Sequence, residues 1–269
     1  MKDDVQRMGE SSPFTQLVWP LANDDPDDAF SSVPYEKGFC LLFYLESLVG
    51  TPAFEEFAKH YINSFKFSSV TSGDFRDCFI KFFDGNPTIK TLSWDDLFYS
   101  RGMPVVIPDF SNTLASAAEE LGAFWVKAER LQVPDSAPVS TTAFDSWSTN
   151  QKNMFLECLL EHVSSGLLLS NALLQKLDSV YSLTSSQNSE IMFRWQSVCL
   201  KCGVEWIVPH VVRFITSQGR MKFVRPLYRA LAATSGGREI AVDTFVASNK
   251  IYHPIARKMV AQDLGLELD

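Results

Sequence analysis

The sequence predicts an all-helical fold on three observations. Apolar residues recur at three- and four-residue spacing along most of the chain, alternating strand patterns are almost absent, and short polar or glycine-bearing turns separate the periodic stretches. Of the 269 residues, 46% are hydrophobic and 21% charged, which suits one large core or two smaller ones and excludes a disordered or collagen-like chain. No apolar run approaches the roughly 18 to 20 residues that cross a bilayer. The opening Met1-Lys2-Asp3-Asp4 is too acidic for a signal or transit peptide, so a cytoplasmic location is expected, with no membrane partner. Five scattered cysteines form no disulfide framework and fit a reducing compartment. The net charge of -8, from 24 cations against 32 acids, argues against nucleic acid as a partner.

The elements follow in chain order. Met1 to about Pro34 reads as polar and loop-like, with residues 1–13 expected to be disordered and the acidic turn Asp24-Asp25-Pro26-Asp27-Asp28 favouring a bend over a helix. Ser31 and Ser32 offer cap oxygens to a helix in which Leu41, Leu42, Leu45, Leu48 and Val49 share a face until Gly50 ends it. Further helices are predicted from Pro52 to Phe65, Asp74 to Phe83 and Trp94 to Tyr99, all rich in aromatic residues. The stretch from Arg101 to Phe110 carries two prolines and no helical period, so it reads as an extended linker. Beyond it, Leu114 to Leu131 keeps helical spacing, as do Met154 to Val163 and Leu173 to Tyr181. Five shorter amphipathic stretches follow, starting near Ile191, Ile207, Phe223, Ala241 and Ile255. Successive helices joined by short turns imply antiparallel neighbours, in either a bundle or a helical solenoid.

No self-contained catalytic constellation accompanies this scaffold. His60, His162, His210 and His253 are far apart and form no H-E-x-x-H, and Cys199-x-x-Cys202 has no second pair to complete a metal site. There is no G-x-S-x-G elbow and no glycine-rich phosphate loop. Two segments are nevertheless unusual. In the first, a proline-marked approach sets Tyr35 at the mouth of a hydrophobic helix, where a phenol can donate a hydrogen bond to charge developing on a substrate oxygen or can simply pack. In the second, Arg220, Lys222, Arg225 and Arg229 cluster in an acidic protein. Arg220 and Lys222 at a turn suit a carboxylate, and a solvated basic face is the alternative.

Both segments resemble one family. Val33-Pro34-Tyr35-Glu36-Lys37-Gly38-Phe39 with its Asp-Pro-Asp approach, Gly219-Arg220-Met221-Lys222-Phe223, Ser189 to Trp195 and Tyr252-His253-Pro254 are similar to the C-terminal part of the leukotriene A(4) hydrolase and aminopeptidase branch of the M1 zinc metallopeptidases. The resemblance implies the helical end of a thermolysin-like catalytic domain over residues 1–102, a proline-containing linker over 103–112, and an armadillo-like α-α superhelix over 113–269.

By the same resemblance, Tyr35 is the catalytic tyrosine that steadies a tetrahedral intermediate, and Asp27 is the aspartate that directs water in epoxide hydrolysis. Arg220 grips the substrate carboxylate, with Lys222 supporting it. Phe30 stands where the vertebrate hydrolase has a tyrosine that becomes covalently modified, so inactivation during turnover should be reduced. The family's zinc ligands lie upstream of every residue present, so zinc belongs to the intact enzyme and none is expected on this chain alone. The implied partners are a peptide or lipid-epoxide substrate and the remaining half of the catalytic domain. A catalytically inactive helical scaffold that binds another protein is the competing expectation.

Overall fold

The computed structural model describes residues 1–19, 29–131 and 141–267, and every described element is helical. The chain divides into two compact units, Met1–Phe110 and Ser111–Asp269.

The first unit contains α1 (Lys2–Met8), a 3₁₀ turn at Pro13–Thr15, α2 (Val33–Val49), α3 (Thr51–Phe65), α4 (Ser72–Phe82), the single turn α5 (Pro87–Lys90) and α6 (Trp94–Tyr99). The break between α2 and α3 is sharp because Gly50 adopts φ 84°, a region glycine enters without steric cost, and Pro52 then opens the next helix. A capping box starts α4: the Thr71 hydroxyl accepts from the Asp74 amide, and the Asp74 carboxylate accepts from Thr71. Helices α3 and α4 meet at Phe57, which is buried against Phe79 at a ring-centroid distance of 4.8 Å and against Phe75 at 5.7 Å. Leu41, Leu45, Ile89, Trp94 and Phe98 complete the core.

The expectation of disorder over the first thirteen residues is corrected. Val5 is buried, and the Asp4 carboxylate accepts from both the amide and the hydroxyl of Ser32, at 2.9 and 2.7 Å. Ser32 therefore receives its polar partner from α1 and makes no side-chain cap of its own on α2. Burial disfavours the Asp4 charge, but the bonds from Ser32 and Arg7 prevail and hold its pKa at about 2. A strap follows: Arg101 donates to the Ser11 carbonyl, Gln16 to the Tyr99 carbonyl, and the Gly102 amide to the buried Thr15 hydroxyl. The stretch after α6 is non-helical, and its Phe110 ring stacks on Phe39 at 5.5 Å.

The second unit contains α7 (Thr113–Leu131), α8 (Thr141–Ser146), α9 (Thr149–Ser164), α10 (Asn171–Tyr181), α11 (Ser189–Lys201), α12 (Val208–Ser217), α13 (Met221–Ala232), α14 (Gly237–Ser248) and α15 (Pro254–Asp263). Helices α7, α9, α11, α13 and α15 pack in succession, while α8 meets α10 and α12 meets α14. Two rows of alternate helices are the layers of an α-α superhelix, and this resolves the choice between bundle and solenoid. The close approach of α7 and α9 requires Gly122, because a Cβ there would lie 2.6 Å from the Cys158 sulfur. Several buried aromatic polar groups inside the unit are matched: the Trp125 indole donates to the Tyr181 hydroxyl, and the Tyr252 hydroxyl donates to the Ile215 carbonyl. Arg225 forks onto Asp263 at 2.7 and 3.0 Å, tying α13 to the end of α15.

Candidate functional site

Tyr35 lies in the first turn of α2. Its side chain is 68% exposed, and its hydroxyl has no hydrogen-bond partner among the described residues. The backbone beneath it is fixed. Val33 is fully buried on one side, and on the other the buried Lys37 donates to the Ser100 carbonyl at 2.8 Å. Burial lowers the pKa of Lys37. The result is a phenol presented outward from a rigid helix, a suitable geometry for donating to a substrate oxygen. The cavity beside Lys37, lined also by Cys40, Tyr44 and Pro104, holds only about 20 Å³ and is far too small for a peptide.

Asp27 lies outside the described residues. Phe30, which is described, is exposed.

Arg220 and Lys222 are brought together at the start of α13. Arg220 is the N-cap residue, with its side chain 64% exposed and its guanidinium 5.2 Å from the centroid of the buried Phe223 ring. Lys222 sits over the same ring at 5.6 Å. Positive side chains, an aromatic floor and the positive end of a helix dipole make a local field that favours an anion.

The structure adds partners to which the sequence reading gave no role. Lys222 donates to both oxygens of Glu190, at 2.7 and 2.8 Å, while Arg220 stays 3.8 Å from that carboxylate. Arg194 donates to Glu190 at 2.8 Å and to Glu157 at 2.7 Å. Burial of Glu190 opposes its ionisation, but the bonds from Lys222 and Arg194 outweigh it and lower its pKa. A signal was present in the sequence. The stretch from Ser189 to Trp195 contains both Glu190 and Arg194, yet nothing in its spacing shows that α11 and α13 would bring it to Lys222.

No group of three or more His, Cys, Asp or Glu side chains gathers round a common point among the described residues. His60 lies against Phe82, and the His253 ring caps α15 by accepting from the Ile255 amide. Burial raises the pKa of both thiols of the Cys199-x-x-Cys202 pair. The described residues thus offer a zinc ion no ligand set.

Known proteins match this arrangement along almost the whole chain. The profile described as "Peptidase family M1 domain" covers residues 1–96, and the one described as "Leukotriene A4 hydrolase, C-terminal" covers residues 147–264. The chain belongs to this family and corresponds to its C-terminal portion.

Leukotriene A-4 hydrolase of Xenopus laevis is 39% identical over 268 residues, which are 99% of this chain and 43% of that protein. Leucine aminopeptidase 2 of Coccidioides immitis is 38% identical over 270 residues, 97% of this chain and 41% of that protein. Among solved structures, yeast LTA4 hydrolase in complex with Bestatin superposes with a TM-score of 0.81 at 30% identity, covering 98% of this chain and 44% of the other. The chain therefore spans less than half the length of the family members it matches. No helix among the described residues is long and apolar enough to cross a membrane.

Proposed function

We propose that this chain is the C-terminal portion of a zinc aminopeptidase with leukotriene A(4) hydrolase-like epoxide hydrolase chemistry. It supplies Tyr35, Asp27, Arg220 and Lys222, while the zinc ligands reside in the preceding part of the catalytic domain. The observation that carries this reading is the Tyr35 phenol, unpartnered among the described residues on a helix pinned by Val33 and Lys37. Its exposure leaves the hydroxyl open to an incoming group, whereas the buried hydroxyls of Tyr228, Tyr252 and Tyr181 are engaged inside the core.

In peptide cleavage, Tyr35 donates to the oxyanion that forms as water adds to the scissile carbonyl, and Arg220 holds the substrate's terminal carboxylate. In epoxide opening, Arg220 holds the fatty-acid carboxylate, and Asp27 orients the attacking water. The apolar face of α2 that carries Tyr35, Phe39, Leu42 and Phe43 is exposed, and it suits the remaining half of the catalytic domain. The linker and domain limits at 103–112 belong to the same proposal. With no zinc ligand set among the described residues, the isolated chain should be silent. Elemental analysis and an aminoacyl-arylamide assay test this: neither stoichiometric zinc nor turnover is expected, and one zinc per chain with turnover would overturn the reading.

A further inference from the structure

Tyr35 lies between two pins on α2. At the cap, the Asp4 carboxylate holds Ser32 by its amide and hydroxyl, and Val33 is fully buried. Two residues beyond Tyr35, Lys37 donates to the Ser100 carbonyl at 2.8 Å. Each helical residue turns the chain by about 100°, so Lys37 stands about 200° round the helix from Tyr35, on the opposite side. Lys37 is accordingly buried and Tyr35 exposed. Any roll of α2 that carries Lys37 away from Ser100 swings the phenol by the same angle.

Lysine is a costly choice for that inner position. Burial lowers its pKa, it forms no ion pair among the described residues, and Cys40, Leu41, Leu97 and Val106 line the same small cavity. A leucine or methionine would fill such a place without desolvating a charge. What lysine adds is a directed bond. It is aimed at the end of α6, where three successive carbonyls are each claimed: Phe98 accepts from the Val18 amide at 2.9 Å, Tyr99 from the Gln16 side chain at 2.6 Å and Ser100 from Lys37. Carbonyls at a helix C-terminus carry partial negative charge, which suits an ammonium. The anchor is firm, because Trp94 and Phe98 of α6 are buried in the core around Phe57.

We infer that Lys37 is a positioning residue for the reaction: its bond to the end of α6 fixes the roll of α2 and so the place where Tyr35 presents its hydroxyl to substrate. Lys37 acts through Tyr35 and touches no substrate, since it is 5% exposed and faces the other side of the helix. The inference rests on the proposed oxyanion role of Tyr35 and adds a residue to it.

The first test uses the full chain and needs no catalysis. Lys37→Met keeps the apolar stem and removes the donor. In ¹⁵N relaxation, the order parameter of the Tyr35 amide should fall from about 0.85 toward 0.6 while those of Phe57 and Phe79 hold. Lys37→Gln, whose amide donor is shorter, should give a smaller fall in the same direction and carries the test if the Met form does not fold. An unchanged Tyr35, or an equal fall at Phe57 and Phe79, overturns the inference.

The second test reads coupling in a fusion of the full chain to the preceding part of the catalytic domain of the Xenopus hydrolase. Lys37→Met should lower kcat for an aminoacyl arylamide about tenfold with little change in KM, less than the roughly 100-fold that a misplacement near 1 Å brings. In a Tyr35→Phe background the same substitution should change kcat less than about twofold, because the group it positions is gone. A residue that merely stabilised the fold would lower kcat equally in both backgrounds, and that result overturns the inference. If Tyr35→Phe lowers kcat and Lys37→Met does not, the positioning role falls and the oxyanion role stands. If Tyr35→Phe itself leaves kcat unchanged, the oxyanion role fails and this inference fails with it.

Discussion

The two units bury their residues differently. In the second, aromatic hydroxyls and indoles find partners inside the core, and its most buried ion pair, Arg225 with Asp263, is bidentate. In the first, the core gathers around Phe57, but α2 turns Tyr35, Phe39, Leu42 and Phe43 outward along one face. Residues four and seven apart on a helix make a continuous apolar stripe, and soluble proteins rarely leave such stripes open without a use for them. The second unit satisfies its buried aromatic hydroxyls and its buried Arg225 from within. The first reads as a hydrophobic core with one side reserved.

The largest expected effect separates the units. Phe57→Ala should cost about 3–5 kcal/mol, since it empties the aromatic hub of the first unit. Hydrogen exchange should then show α3 and α4 opening while α11 and α13 keep their protection. Loss of protection in both units together would break the comparison.

Asp263→Asn probes the second unit. It leaves the buried Arg225 guanidinium without its counter-charge, and about 3 kcal/mol should be lost, on the scale seen when one partner of a buried pair is removed. Denaturant unfolding followed by circular dichroism measures it, and an unchanged midpoint would show the pair to be replaceable.

A smaller effect depends on pH. Asp4 has its pKa lowered in the folded state, so it stabilises the first unit at pH above its ordinary range near 4, and that contribution is lost as pH falls toward about 2. Chemical shifts of Ser32 should report α1 detaching over that window in the native chain but not in Asp4→Asn. The smallest effect on folding is expected at the exposed stripe. Replacing Phe39 and Phe43 by Ser should change stability by no more than about 0.5 kcal/mol. The same change should reduce binding of a hydrophobic dye, and undiminished dye binding would place the apolar surface elsewhere.

What the sequence disclosed was local. The run from Leu41 to Val49 and the terminating Gly50 mark α2, and the prolines after Arg101 mark the non-helical stretch, because periodicity and backbone restriction act within a few residues. The order of the first residues was not legible. It depends on Asp4 meeting Ser32 and on Thr15 meeting Gly102, pairings that only the folded chain creates. Tyr35, Arg220 and Lys222 stood out as chemically unusual, but Glu190 did not, because an isolated acid in a helix is ordinary until the packing of α11 beside α13 shows what it holds. Asp27 stands on the resemblance to the family alone.

The central claim is that this chain contributes the oxyanion donor to a catalytic domain completed by another segment. It is tested most directly by joining the chain to the preceding part of the catalytic domain of the 39%-identical Xenopus hydrolase and comparing it with its Tyr35→Phe form. The account predicts active arylamide hydrolysis that falls about 100-fold or more in kcat with little change in KM, the scale of losing one oxyanion donor. An active fusion whose kcat is unaffected by Tyr35→Phe would contradict it.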